Sequence, residues 1–420
     1  MGFGSVYINT PATRKNASVP FFGYALKAMS RAWWLVGLLS ATATASYLCR
    51  VNVSVAGVLM MREFGLSQEA MGRVFSSFIL GYALCQVPAG MLADRFGAIR
   101  VLACAALSWV VFTAVIAGLP ANFAALLAVR CLLGVAEAPT FPAAAQAVSR
   151  WIPAEQRGRA NGVVVTGIGI GSAIAPPLIT FAMMRWGWRV ALLVSAIPAC
   201  AAGLTWLAVR APYTPVAAPA KSDTADGLPR SLSFILLTLS YTLEGYVGYI
   251  FVFWFYLYLV EVRHFDLLRG AAFASLPWLL SIVSIPLGGL IFDRLRKAGR
   301  VVPMAGLAGS GIMIAAGAHI SNAYLAAVCL ALATALVLSV EGAFWATMTR
   351  IAGPRSGAGG GIMNMGSNLG GLISPALTPV LAATIGWEGA LLVAAAVAVV
   401  AALLWLGITP EEAHQKGGLE

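Results

Sequence analysis

Residues 90–150 read GMLADRFGAIRVLACAALSWVVFTAVIAGLPANFAALLAVRCLLGVAEAPTFPAAAQAVSR. Between Arg100 and Arg150 the only charges are Arg130 and Glu137, and both stand inside an apolar stretch long enough to cross a bilayer. Two helical turns separate them, so they share one side of a helix. An ionised side chain at mid-membrane costs about 2.5–3.5 kcal/mol on insertion scales, and such residues usually face a bundle interior or a wet cavity. The pair therefore marks a functional pathway.

The rest of the chain has the same character. Its 420 residues are 60% hydrophobic and 10% charged, with a mean hydropathy of +0.85. Soluble domains carry about 25% charge, so this is a polytopic membrane protein. Apolar runs predict twelve spans, near 33–60, 71–93, 101–118, 123–149, 160–184, 190–209, 231–260, 271–292, 301–319, 323–348, 360–384 and 389–408. The net charge of +11 is no nucleic-acid signal, because Lys and Arg concentrate in alternate loops. With the N-terminus inside, 19 of the 27 fall on the inner side, six on the outer, and Arg50 and Arg130 within spans. The bias follows the positive-inside rule and places both termini in the cytoplasm. Residues 1–30 lack an h-region and a cleavage site, so no signal peptide is expected. The six cysteines all fall in spans without metal-ligand spacing and read as packing residues.

Residues 210–230, RAPYTPVAAPAKSDTADGLPR, break the pattern. They divide the chain into a cytoplasmic tail (1–30), an N-terminal six-helix bundle (31–209), a cytoplasmic linker (210–230), a C-terminal six-helix bundle (231–408) and a cytoplasmic tail (409–420). A shift of 199 residues aligns the halves: Gly90, Asp94 and Arg95 fall on Gly289, Asp293 and Arg294, and Gly187-Trp188 falls on Gly386-Trp387. Gly162, Gly167, Gly171 and Pro176 fall on Gly361, Gly366, Gly370 and Pro375 at the same offset. A parallel repeat of this kind is a transporter plan, with substrate at the interface of the halves.

The loop Gly90-Met-Leu-Ala-Asp94-Arg95-Phe-Gly97 resembles the loop signature of the major facilitator superfamily, and Gly289-Leu-Ile-Phe-Asp293-Arg294 is a weaker copy. The fold expected is therefore all-α, twelve transmembrane helices in two six-helix bundles. A carboxylate such as Asp94 can accept free N–H groups at the start of a neighbouring helix, so Asp94, Arg95, Asp293 and Arg294 are read as a gate between halves; the alternative is a tight turn with solvated charges. Three further segments resemble the anion:cation symporter branch, which includes sugar-acid, sialin-like and vesicular glutamate transporters. They are Tyr47-Leu-Cys-Arg50-Val-Asn52-Val-Ser54, Arg130-Cys-Leu-Leu-Gly134-Val-Ala-Glu137-Ala-Pro-Thr-Phe141-Pro142, and Gly361-Ile-Met-Asn364-Met-Gly-Ser-Asn368-Leu-Gly370-Gly371.

The resemblance implies that Arg50 and Glu137 belong to proton coupling, and that Arg130, Tyr47 and Tyr82 contact a substrate carboxylate. The residues themselves agree. Tyr47, Arg50 and Ser54 share one helical face, as do Tyr82 and Gln86. Arg offers a planar, permanently charged fork suited to a carboxylate, and Glu can carry a proton. A static ion pair that only fixes packing is the alternative, but buried pairs are poor stabilisers. Asn364 and Asn368 could either face the cavity or pack. Many bacterial members of the branch have Asp where this chain has Cys49. Glu244 in span seven or Glu341 in span ten could carry that proton instead, or bind a cationic part of the substrate; the alternative is two protonated, hydrogen-bonded acids. Tyr249 and Trp345 could supply an aromatic lining.

The function expected is proton-coupled uptake of an organic anion across the bacterial cytoplasmic membrane, by a monomer whose partners are the anion, protons and the lipid bilayer. An exporter of the same fold, or a membrane receptor that transports nothing, are the other readings. No cofactor, metal or nucleic-acid partner is expected, and no nucleotide loop or nucleophile–base set points to an enzyme.

Overall fold

The computed structural model describes residues 19–153, 156–209, 231–295, 299–353 and 356–409. Residues 1–18, the linker 210–230 and residues 410–420 lie outside the described residues. The first half holds α1 (Val19–Phe64), α2 (Gln68–Phe96), α3 (Ala98–Gly118), α4 (Phe123–Glu137), α5 (Thr140–Trp151) and α6 (Arg157–Ala208). The second holds α7 (Leu232–Phe253), α8 (Phe255–Leu257) with a π-helical turn (Tyr258–Val262), α9 (Leu267–Arg294), α10 (Val301–His319), α11 (Ala323–Ser339), α12 (Glu341–Ala352) and α13 (Ser356–Leu404). No strand occurs among the described residues. α1 begins at Val19, inside the segment expected to be tail.

Among the described residues nine helices are long and apolar enough to cross a membrane, and α2, bent by 54° near Pro88, makes a tenth. The difference from twelve lies in two overlong helices. α6 has 52 residues and α13 has 49, and 52 residues of helix measure about 78 Å against a hydrocarbon core of about 30 Å. Each contains one glycine outside helical geometry: Gly187 at φ 79°, ψ 166° and Gly386 at φ 77°, ψ 164°. That region is essentially reserved for glycine. These are the two glycines that the sequence repeat aligned, and counting each long helix as a pair brings ten to twelve. The expected fourth span is likewise broken, into α4 and α5 at Ala138-Pro139, where proline lacks the N–H a continuous helix needs.

Helix starts repeat between halves at the same or nearly the same offset. Ser67 Oγ accepts the Ala70 N–H at 3.2 Å, and Asp266 Oδ1 accepts the Arg269 N–H at 2.9 Å. Asn122 and Asn322 cap α4 and α11 in the same way.

The halves meet mainly toward the end that carries Arg62. Phe75 of α2 stacks on Phe253 at 5.1 Å and meets Trp254 edge-on at 5.3 Å. Ser76 Oγ donates to the Leu372 carbonyl at 2.7 Å, and Ser275 Oγ donates to the Ala173 carbonyl at 2.6 Å. Both serines and both carbonyls are matched across the repeat, so the two bonds form a symmetric pair, one joining α2 to α13 and the other α9 to α6. Toward the Asp94 end the first half has its own apolar cluster, including Leu35, Leu102, Ala147 and Trp206, separate from the core that joins the halves. Between Gln86 and the Asp94 end, none of the hydrogen bonds or ion pairs seen among the described residues joins the halves.

Candidate functional site

α1, α2 and α4 bring the first group of polar side chains together. Gly81 and Gly134 allow this: a Cβ on Gly134 would strike the Phe78 carbonyl, and one on Gly81 the Cys131 carbonyl. With no side chain there, α4 lies backbone-to-backbone on α2. Arg130 and Glu137, both on the buried face of α4, are then held beside Arg50 of α1 and Tyr82 of α2.

Arg50 and Glu137 form an ion pair. Arg50 Nη2 and Nε donate to Glu137 Oε1 at 2.5 and 2.8 Å. Ser46 Oγ donates to the same oxygen at 3.3 Å, while Arg50 Nη1 donates to the Tyr47 hydroxyl at 3.2 Å. The Arg50 guanidinium also lies 4.5 Å from the Tyr47 ring centre and 4.7 Å from that of Tyr82. Glu137 Oε2 has no hydrogen-bond partner among the described residues.

Arg130 differs. It is fully buried, and Nη2 reaches only the Arg50 carbonyl, at 3.5 Å. Nε and Nη1 have no partner among the described residues. Its Cζ lies 4.9 Å from the Phe78 ring centre, and that ring is also 5.2 Å from Arg50 Cζ. Of the two guanidiniums, Arg50 alone thus engages Glu137, and Arg130 is a buried guanidinium with no carboxylate bonded to it among the described residues. In this arrangement the free Arg130 nitrogens are closed off from solvent.

The second half faces this group with an amide chain. Tyr249 OH donates to Asn368 Oδ1 at 3.4 Å, Asn368 Nδ2 donates to the Asn364 carbonyl at 2.9 Å, and Asn364 Nδ2 donates to Gln86 Oε1 at 2.8 Å. The last bond crosses from α13 to α2. Tyr249 stands at the repeat position of Arg50, and its electrostatic neighbours include Arg50, Tyr47, Tyr82 and Glu137. Some glycines of the first part of α6 and of α13 serve close packing: Gly167 lies on the Ser40 carbonyl, and Gly370 on that of Thr242, whereas Gly162 and Gly361 stand in open space.

A separate group lies nearer the Asp94 end. Tyr241 OH donates to Glu341, at 2.9 Å from both carboxylate oxygens, and Trp345 meets the Tyr241 ring edge-on at 6.4 Å. Glu244 is buried, has Glu341 as its electrostatic neighbour, and makes no hydrogen bond among the described residues. Cys49, in place of the branch's Asp, lies 3.8 Å from the Ser195 carbonyl.

In this arrangement the gating residues keep to their own halves. Asp94 Oδ1 accepts from Gln146 Nε2 of α5 at 2.6 Å, within its own half. Asp94, Arg95, Asp293 and Arg294 are exposed and make no ion pair across the halves among the described residues. At the opposite end Arg62 Nη2 and Glu261 Oε1 join the halves at 2.8 Å. Sequence reasoning missed Ser46, Phe78 and this pair. The pair had a signal: Arg62 and Glu261 are related by the 199-residue offset.

Residues 34–371 match the family model of the Major Facilitator Superfamily. The chain belongs to that superfamily. Its relatives include a probable sulfoacetate transporter of Cupriavidus necator, 30% identical over 81% of this chain and 85% of that protein. A hexuronate transporter of Bacillus subtilis is 28% identical over 85% and 90%, and a D-galactonate transporter of Escherichia coli 26% identical over 91% and 96%. The fold matches that of a bacterial homolog of the human lysosomal transporter Spinster, in an inward-facing and occupied conformation, with a TM-score of 0.76 at 18% identity, covering 93% of this chain and 97% of that one. Membership makes the protein a multi-pass membrane transporter rather than an enzyme.

Proposed function

We propose that this superfamily member takes up organic anions, driven by protons, through alternating access of its two halves. The observation that carries the reading is the unmatched charge of Arg130 beside the Arg50–Glu137 pair. A buried cation without a full set of partners costs several kcal/mol, and a carboxylate or sulfonate from outside would supply them. The names of the relatives, transporters of sulfoacetate, hexuronate and D-galactonate, support an anionic substrate.

Glu137 is the proton carrier. When it is protonated its hold on Arg50 weakens, and Arg50 and Arg130 together then favour an anion. Tyr47, Tyr82, Gln86, Asn364, Asn368 and Tyr249 line the space around it, with Trp345 toward the exit. Loss of anion and proton lets the ion pair reform and resets the protein. Glu244 stands in for the acid missing at position 49 as a second proton site. The Asp94 end is the cytoplasmic one by the positive-inside bias, with both termini on that side of the bacterial inner membrane. The sealed Arg62 end and unjoined Asp94 end then correspond to an inward-facing state. Asp94, Arg95, Asp293 and Arg294 would close the cytoplasmic side in the opposite state.

Proteoliposomes test this. Uptake of sulfoacetate, a hexuronate or D-galactonate should require acid outside and stop when the proton gradient is collapsed. Accumulation only in inverted vesicles would establish export, and binding without flux in either direction would establish a receptor.

A further inference from the structure

A cavity of about 530 Å³ opens in the first half at the Asp94 end, apart from the transport site. Its wall is made by the α2–α3 corner and the last turns of α5 and α6, all at the ends of membrane-crossing helices. Four features give it a chemistry. Arg100 and Arg150 line it, both exposed, and neither makes an ion pair or hydrogen bond among the described residues. Residues 98–100, also in the wall, begin α3, which starts without a side-chain cap at Gly97, so its first N–H groups are unsatisfied. Gln146 Oε1 has no partner among the described residues, its amide nitrogen being engaged by Asp94, and as an acceptor it can take a headgroup hydroxyl rather than the phosphate. Trp151 and Trp206, 6.3 Å apart, and Leu207 supply an apolar side.

We propose that this cavity binds the phosphodiester headgroup of an acidic phospholipid. Two guanidiniums and a helix N-terminus complement a phosphate, and a basic recess between transmembrane helices at the membrane surface suits a lipid headgroup. The apolar side favours a lipid over a soluble ion: Leu207 and Leu204 of α6 are exposed, at 63% and 56%, and offer an acyl chain a path into the bilayer. The lipid would sit against Gln146, the residue that holds Asp94.

Native mass spectrometry of the purified full chain, with phosphatidylglycerol against phosphatidylcholine, tests the assignment. Phosphatidylglycerol should be retained in preference. The double variant Arg100→Gln/Arg150→Gln should bind it about 30-fold more weakly, from about 1 kcal/mol per basic group near the surface. Arg73→Gln/Arg185→Gln removes the same charge at the other end and should leave retention unchanged. Equal retention of the two lipids, equal loss in both double variants, or full displacement by millimolar inorganic phosphate would each overturn the lipid assignment. Thermal unfolding of each variant in detergent separates lost binding from lost folding.

Discussion

Arg62 and Glu261 occupy matching places in the two halves and are ion-paired to each other at 2.8 Å. A residue touches its own repeat mate only where it lies on the axis relating the halves, so this pair marks that axis at the sealed end. The side chains are 65% and 28% exposed, and such a pair contributes about 0–1 kcal/mol. Arg62→Ala should therefore shift the balance between states by no more than about fivefold without unfolding the protein. The exchange Arg62→Glu/Glu261→Arg should restore the original balance, read from the accessibility of a reporter cysteine at the sealed end.

Glu137→Gln should abolish accumulation driven by a proton gradient while leaving counterflow exchange of the anion. An amide keeps the shape of the side chain but cannot cycle between charge states. Gradient-driven accumulation at the normal level in that variant would remove Glu137 from coupling.

Arg130→Ala should weaken anion binding by about 10- to 150-fold, the worth of hydrogen bonds to a charged group. Calorimetry or thermal shift with sulfoacetate or a hexuronate gives the comparison. Unchanged affinity would place the anion elsewhere.

Arg50→Met leaves Glu137 buried without its partner, which costs about 3–5 kcal/mol. The double change Arg50→Met/Glu137→Met should recover most of that stability in thermal unfolding while remaining inactive. A double variant as unstable as the single one would mean that the site depends on Arg50 for more than its charge.

Gly187→Ala and Gly386→Ala should each destabilise the fold by about 1–3 kcal/mol through backbone strain. Space is not the reason, since a Cβ at either position meets nothing within 4 Å. Gly162→Ala, with the same open surroundings but ordinary helical backbone, is the control.

The charges of Arg130 and Glu137 were legible because nothing else charged shares their run of sequence. Their partners were not. Glu137 had two basic candidates, and only the close approach of α1 to α4 selects Arg50. Phe78 and Ser46 carry no unusual signal in an apolar or small-residue helix; their importance comes from what three-dimensional packing places beside them. Asp94 was read as part of a gate between halves; in this arrangement it accepts from Gln146, an amide one turn before Arg150 that periodicity alone does not single out. The alignment of Gly187 with Gly386 was plain in the repeat, whereas the unusual backbone conformation they share shows only in the structure, where each interrupts a long helix. Ser76 and Ser275 could have been found by the same offset, had polar matches been weighed alongside glycines.

Those two serines have a mechanical meaning. Their bonds to Leu372 and Ala173 lie on opposite flanks of the axis, and a line drawn through them is a natural fulcrum. If the halves rock as proposed above, a see-saw tilt about that line would strain these two bonds least while one mouth widens and the other narrows.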